Sequence, residues 1–273
     1  MTTGPPPGHP EAIVRPDMAG PRFTVERLAP RAALAEFVDY LWLVRWDVAA
    51  PHRQQVVPQP RVHVAAERGR LLAHGVTRRP FFRTLEGSGH VLGAAFHPGG
   101  FRPLLGGSVG GISGTVRPLG ELLGADGAPV AARILGGHDR AEMVEALEEC
   151  LVAIGPRPDP VGRQVTELVA EAERQVRITR AEMLAEVAGM SLRSLQRLFA
   201  EYVGIGPKWV IQRFRILDAI AAAHRGEVAD WAALARDLGF SDQAHLTRAF
   251  TQVVGTPPAS YLREVGSSWP AGR

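Results

Sequence analysis

The chain reads as an α+β protein: a β-rich, barrel-like antiparallel N-terminal region followed by an all-α region with two helix-turn-helix units. Three observations predict this. From Arg22 to about Gly124, short apolar runs rich in Val, Leu and aromatic residues are separated by Gly, Pro and polar turns, the pattern of strands in an antiparallel sheet or small barrel. Beyond that point the apolar spacing becomes helical. The last third then repeats itself: ITRAEMLAEVAGMSLRSLQRLFAEYVGIGP, from Ile178 to Pro207, is followed by DWAALARDLGFSDQAHLTRAFTQVVGTPP, from Asp230 to Pro258. A chain of 273 residues is long enough for two domains with separate cores.

Residues 1–20 are rich in Pro and Gly and are expected to be disordered. The expected strands lie in FVDYLWLVRWDV, QQVVPQPRVHVAA, GRLLAHGV and HVLGAAFHPGG, although AEFVDYLWLVRW is ambiguous between helix and strand at its start. GGFRPLLGGSVGGISG holds too much Gly for a regular element; it is expected to wrap a barrel end, with a brief helix at Arg102 to Leu105. HDRAEMVEALEECLVAIG is an amphipathic helix with Met143, Leu147, Leu151 and Ile154 on one stripe and Glu142, Glu145, Glu148 and Glu149 elsewhere. Two readings stand for it: a helix packed on the sheet, or the seam of a homodimer through 139–154. PRPDP then breaks the chain as a stiff hinge, and Asp159 and Pro160 start the next helix. The expected divisions are 1–20, 21–155, 156–160, 161–265 and a tail at 266–273.

In the first repeat, Thr179 and Glu182 have the spacing of a capping box that starts a helix on Arg180. Leu184, Val187 and Ala188 form its apolar face, Gly189 supplies a turn with φ > 0, and Ser191 caps a second helix that buries Leu195, Leu198 and Phe199. Laying Ser191 on Ser241 aligns the second repeat to within one residue. There Asp230 caps the first helix, Trp231, Leu234 and Leu238 bury, Gly239 turns the chain, Ser241 or Asp242 caps the next helix, and Leu246 and Phe250 point inward.

Each repeat thus has the pattern of a scaffold helix, a short turn and a second helix able to enter the DNA major groove. The outward residues are Arg193, Gln196 and Arg197 in the first repeat, and Gln243, Ala244, His245 and Arg248 in the second. Arg can bond two acceptors on guanine, and Gln both the donor and the acceptor of adenine. Ser191, Thr247 and the helix N-termini suit phosphate contacts. The competing reading is a merely solvated face. Arg197 and Arg248 flank the buried stripe, so the scaffold helix competes with DNA for one of them. Between the repeats, KWVIQRFRILDAIAAAHRG follows Pro207 at helical spacing as far as Gly226. A helix of roughly 18 residues spans about 27 Å, against about 34 Å between successive major-groove faces. One chain could then read two adjacent segments.

These stretches resemble the AraC/XylS-type transcription regulators. GFSDQAHLTRAFTQVVGTPPASYLR, from Gly239 to Arg263, is similar to the family's hallmark almost residue for residue, and SLRSLQRLFAEYVGIGPKWVIQRFR is nearly as close. The resemblance covers about 100 C-terminal residues. It implies double-stranded DNA as partner and places the base-reading positions on Arg193, Gln196, Arg197, Gln243, Ala244, His245 and Arg248. Ala244 stands where many relatives carry a polar residue, so its contact reduces to a thymine methyl. The N-terminal region loosely resembles the family's sensor half, where a barrel holds a small effector. Trp42, Trp46, Phe81, Phe82 and Phe96 are the candidate pocket lining, with plain core filling as the alternative. RNA polymerase and a second copy of the chain are the further partners considered.

Composition bounds the rest. The single cysteine, Cys150, excludes an intrachain disulfide framework. No apolar run reaches spanning length and no signal peptide is evident, so a cytoplasmic location is expected. The formal charge is +3 overall, and residues 161–265 carry 13 basic and 12 acidic side chains, or +1, so any basicity must be local to the reader faces. His52, His63, His74, His90 and His97 lack the close spacing of a cupin-like site, and neither metal nor cofactor is expected. The competing function is a DNA-tethered enzyme such as a repair methyl acceptor, which needs an activated Cys; Cys150 sits in a Glu-rich helix that would raise its pKa. The expectation is therefore no catalysis.

Overall fold

The structure is a computed structural model that describes residues 13–14 and 23–268. Apart from residues 13–14, the N-terminal stretch 1–20 lies outside the described residues, as do residues 269–273 of the tail. An antiparallel sheet of seven strands forms the N-terminal half: β1 (Ile13–Val14), β2 (Thr24–Leu28), β3 (Val38–Val56), β4 (His63–Glu67), β5 (Arg70–His74), β6 (Phe81–Phe96) and β7 (Val116–Pro118). The order is β1-β3-β6-β4-β5-β7, with β2 also pairing β3. A 3-10 helix at Ala32–Leu34 and a turn over residues 35–37 lead into β3, so AEFVDYLWLVRW is not helical at its start and is strand from Val38. The long strands β3 and β6 pair from Val38↔Phe96 to Val56↔Phe81, with register shifts at Val38/Tyr40 and Val48/His52. Such irregularities bend a strand and increase its twist. The sheet nonetheless stays open, since no pairing joins β7 to β1 or β2 among the described residues.

The two faces of the sheet differ because side chains alternate along a strand. Leu41, Leu43, Val64, Leu92, Ala94 and Phe96 turn to the core, where they meet Ala131 and Ile134 of α3 (Ala128–Gly136) and Met143, Leu147 and Leu151 of α4 (Arg140–Ile154). The opposite face carries Tyr40 and Trp42 among charged groups. The guanidiniums of Arg27 and Arg61 lie 4.6 and 5.5 Å from the Tyr40 ring centre, and Arg61 pairs with Asp39. Burial, reinforced by Arg61, His74 and Arg27, pushes the His63 pKa down to about 3. Glu67 feels burial in the opposite sense, but His74 at 3.3 Å and Arg83 at 2.6 Å outweigh it and hold the carboxyl below its ordinary value.

One alternative is decided in this half and two expectations need correction. Of the two readings of α4, its apolar stripe follows the first: Met143, Leu147 and Leu151 pack into the core of the same chain, and the exposed side of 139–154 holds Glu142, Glu145, Glu149 and Val152. Glu148, expected outside, is 6 % exposed and accepts from the Arg31 backbone N–H at 2.6 Å and from its Nε at 3.0 Å. The brief helix α1 (Arg102–Leu105) does form, but its segment docks on the C-terminal half instead of wrapping a barrel end.

The C-terminal half is helical. Its elements are α5 (Pro160–Arg174), α6 (Ala181–Val187), α7 (Leu192–Tyr202), α8 (Pro207–His224), α9 (Trp231–Asp237), α10 (Gln243–Val254) and α11 (Pro258–Ser268); a short α2 (Leu119–Leu123) precedes α3. Asp159 caps α5 through Val161 and Gly162 N–H. The buried helix α8 runs through the middle, with Val210, Ile211, Leu217 and Ile220 fully inside. Arg215, also buried, donates to the carbonyls of Ala172, Glu173 and Gln175 at 2.8 to 3.1 Å and thereby satisfies the exposed acceptors at the end of α5. No helix among the described residues is long and apolar enough to cross a membrane.

Candidate nucleic-acid interface

The two helix-turn-helix units share one backbone plan. In the first, Gly189 N–H bonds Glu186 O and Met190 N–H bonds Ala185 O, both at 3.0 Å. In the second, Gly239 N–H bonds Arg236 O at 3.0 Å and Phe240 N–H bonds Ala235 O at 2.9 Å. This double bond pattern with a left-handed residue is a Schellman ending, and Gly189 and Gly239 occupy it at φ 62° and 76°. Gly239 is constrained twice, because a Cβ there would also sit on the side chain of Thr179. That contact accounts for a missed cap: Thr179 packs between the units, Arg180 becomes the N-cap of α6, and no side chain bonds the helix start.

After the turn the units diverge by one residue. Ser191 Oγ accepts from Ser194 N–H at 3.1 Å, whereas the equivalent cap of α10 is Asp242, whose Oδ1 accepts from His245 N–H at 2.6 Å. Ser241 is the extra residue. Its hydroxyl lies 3.2 Å from both Asp242 Oδ2 and His245 Nδ1. The hydrogen bond from His245 N–H holds the Asp242 carboxyl below its ordinary pKa, with Ser241, Arg248 and the His245 ring adding to the effect. Counted from the caps, Arg193 corresponds to Ala244, Gln196 to Thr247 and Arg197 to Arg248, so the simple overlay of Ser191 on Ser241 is one residue out within the readers.

Both readers keep their polar sides open. Arg193, Gln196, Arg197, Gln243, Ala244 and Arg248 are exposed, as is Ser191, while His245 and Thr247 are half-buried. Leu195, Phe199, Leu246 and Phe250 are each fully inside. Among the described residues neither Arg197 nor Arg248 bonds its scaffold helix. His245 is held by Ser241 and by the edge of Phe240, at 5.2 Å between ring centres. Beside α7 lies an open cleft of ≈ 420 Å³ with Gln164, Met190, Arg197 and Leu198 in its walls. Local spacing gave no sign of Arg213, which α8 buries with its guanidinium 4.6 Å from the Trp209 ring centre; burial lowers its pKa to about 10.

The candidate effector residues do not share a wall. Phe96 is fully buried in the core, edge-on to Phe101 at 5.0 Å. Trp42 and Trp46 lie on the other face against Gly93 and Gly89, Phe81 meets His74, and Phe82 is 39 % exposed beneath Arg53. Trp42 Nε1 is buried with no hydrogen-bond partner. Among the described residues no group of His, Cys, Asp or Glu is placed to hold a metal ion. Burial pushes the Cys150 thiol up, opposite to what a reactive thiolate requires.

Comparison with known proteins agrees with this geometry. Residues 184–264 match the family model described as a helix-turn-helix domain, and residues 26–117 match a domain of unknown function (DUF6597). Among solved structures, the chain is similar to the DNA-binding domain of AdpA, a global transcriptional factor crystallised with a target DNA, at 25% identity over 42% of this chain and 100% of that one (TM-score 0.34). Wild-type ToxT from Vibrio cholerae, crystallised with an unsaturated fatty acid, aligns at 11% identity over 92% of this chain and 99% of its own (TM-score 0.36). The AraC-like transcriptional activator CuxR aligns at 18% identity over 73% and 96% (TM-score 0.21). At these TM-scores the overlaps carry no weight, and the assignment rests on the helix-turn-helix match. Residues 184–264 form a helix-turn-helix domain.

Proposed function

We propose that this chain is an AraC-type transcription regulator that recognises two adjacent major-groove segments through α7 and α10, under the control of a small molecule bound by the N-terminal half. The observation behind the first part is the pair of capped, open readers joined by the 18-residue helix α8. Arg193, Gln196 and Arg197 would take the first segment, and Gln243, His245 and Arg248 the second. Ala244 would meet a thymine methyl, and Ser191, Thr247 and the helix N-termini would hold phosphates. In this reading residues 161–265 bind DNA, residues 156–160 are the hinge and residues 21–155 sense the effector, in the cytoplasm. The sensing surface we favour is the sheet face of Trp42 and Trp46, where the buried indole N–H of Trp42 lacks an acceptor. RNA polymerase would be the protein partner at a promoter.

Selection of bound sequences from random DNA tests the reading. A two-part motif is expected, and Arg193→Ala and Gln243→Ala should each cost about 1 to 3 kcal/mol and relax preference at one base position in a different part. Variants with the parent's full sequence preference would show that the reader residues are wrongly assigned. Repeating the selection with a metabolite panel tests the effector, through a shift in affinity or melting temperature.

A further inference from the structure

The Gly-rich segment 96–114 carries none of the proposed base-reading residues, yet it lies in close contact with the helical half. Gly99 lies so near the start of α5 that a Cβ would sit on the Gly162 carbonyl oxygen, and its N–H donates to Thr166 Oγ1 at 3.3 Å. Arg102 donates to Glu201 Oε1 from Nε at 3.2 Å and Nη2 at 3.1 Å, with its guanidinium 5.5 Å from the Tyr202 ring centre. Ser108 Oγ donates to Ala200 O at 3.3 Å and Ser113 Oγ to Gly204 O at 2.6 Å. A Cβ on Gly110 would lie 3.0 Å from Ala200 O. All of these partners on the first unit belong to the last turn of α7 or the loop just after it.

The second reader is held at the same end. Gln55, near the end of β3, donates from Nε2 to Val253 O in the last turn of α10 at 2.9 Å. Val57 and Val76, beyond β3 and β5, are buried in the hydrophobic cluster of the helical half. The last carbonyls of a helix have no partner within it, and here the N-terminal half supplies donors to both readers at these ends. The opposite ends, which carry the base-reading residues, stay open.

We propose that the N-terminal half is a bracket that fixes the two reader helices relative to one another, so that binding both DNA segments at once is a property of the whole chain. The proposal rests on the two-segment reading above. Two linked modules gain affinity only as far as their geometry lets both engage, and a fixed pose raises the effective concentration of the second at its site. The strut α8 sets the distance between the readers; the bracket sets their angle. Gly99 and Gly110 let the segment lie against the backbones of α5 and α7, where a side chain would hold the halves apart.

The test uses the full chain with two DNAs, one carrying both selected segments and one with the second segment scrambled. Arg102→Glu sets like charges against each other at Glu201, and Gly110→Trp wedges the segment away from α7. Each variant should lose about tenfold in affinity for the two-segment DNA and stay within about twofold of the parent on the single-segment DNA. The double variant Arg102→Glu/Glu201→Arg restores an ion pair and should recover the two-segment affinity, which separates the bracket from misfolding. Parental affinity of both single variants on the two-segment DNA, tighter binding, equal losses on both DNAs, or no recovery in the double variant would each overturn the proposal. A parent chain that binds scrambled DNA as well as the two-segment site would instead sink the functional reading, and the bracket with it.

Discussion

The first unit passes from α6 to α7 through Gly189, Met190 and Ser191; the second passes from α9 to α10 through Gly239, Phe240, Ser241 and Asp242. One added residue changes the cap from a hydroxyl to a carboxylate and shifts the reader surface by one position. The first reader then offers two guanidiniums and an amide, from Arg193, Arg197 and Gln196. At the corresponding positions the second offers Ala244, Arg248 and Thr247, supplemented by Gln243 and His245. The supports differ as well. The first unit is enclosed by α5 and the Gly-rich segment. The second closes around an aromatic group in which Phe250 lies edge-on to Trp231 at 6.1 Å and to Tyr261 at 5.5 Å, while Tyr261 bonds His224 at 2.7 Å. A duplicated backbone plan therefore does not impose a duplicated surface: the turn fixes the plan, and the side chains after it set the chemistry of each exposed face.

The largest effects should come from the cores. Phe199→Ala and Phe250→Ala each remove a fully buried ring, at about 3 to 5 kcal/mol of stability by thermal or denaturant melting. The ring contacts with Trp231 and Tyr261 place Phe250 toward the top of that range. Equal and small losses would mean that neither unit has the packing described.

Smaller effects separate the caps. Ser191→Ala should cost about 1 kcal/mol, with little change between pH 7 and pH 3 because the hydroxyl does not titrate in that range. The Asp242 cap should depend on acid. Its carboxyl is held below its ordinary pKa in the folded chain, so its contribution is present above the unfolded value and is lost as pH falls through the depressed folded value. Amide exchange in the first turn of α10 should thus accelerate below about pH 4, while the first turn of α7 keeps its protection. Acceleration of both turns together would remove the distinction between the caps.

Much of the helical half is legible in local sequence because its signals are local. Asp159, Ser191 and Asp230 each cap the helix that follows, and Gly189 and Gly239 hold the left-handed positions their spacing implies. Thr179 shows where this stops, since its capping pattern is outcompeted by packing against Gly239, 60 residues away in the chain. Glu148 has the spacing of an outward residue and is buried by Arg31, 117 residues distant. Phe96 and Trp42 both read as strand aromatics, and only strand register decides that they face opposite ways. The Gly-rich segment is recognisable as irregular, but its seat on α7 depends on contacts about 90 to 100 residues apart. The reader surfaces fall between these cases: the residues are visible in sequence, whereas their one-residue offset depends on which side chain, Ser241 or Asp242, captures the His245 N–H.

Spacing between the DNA segments is the most direct measure of the central claim, that α7 and α10 are held by α8 as a single two-segment reader. Affinity of the full chain would be compared on the selected site and on versions with about 5 or about 10 base pairs, half a turn or a full turn, inserted between the segments. A rigid pair predicts a loss of at least about tenfold with either insertion, because neither keeps both segments within reach of one fixed geometry. Unchanged affinity with either insertion would contradict it.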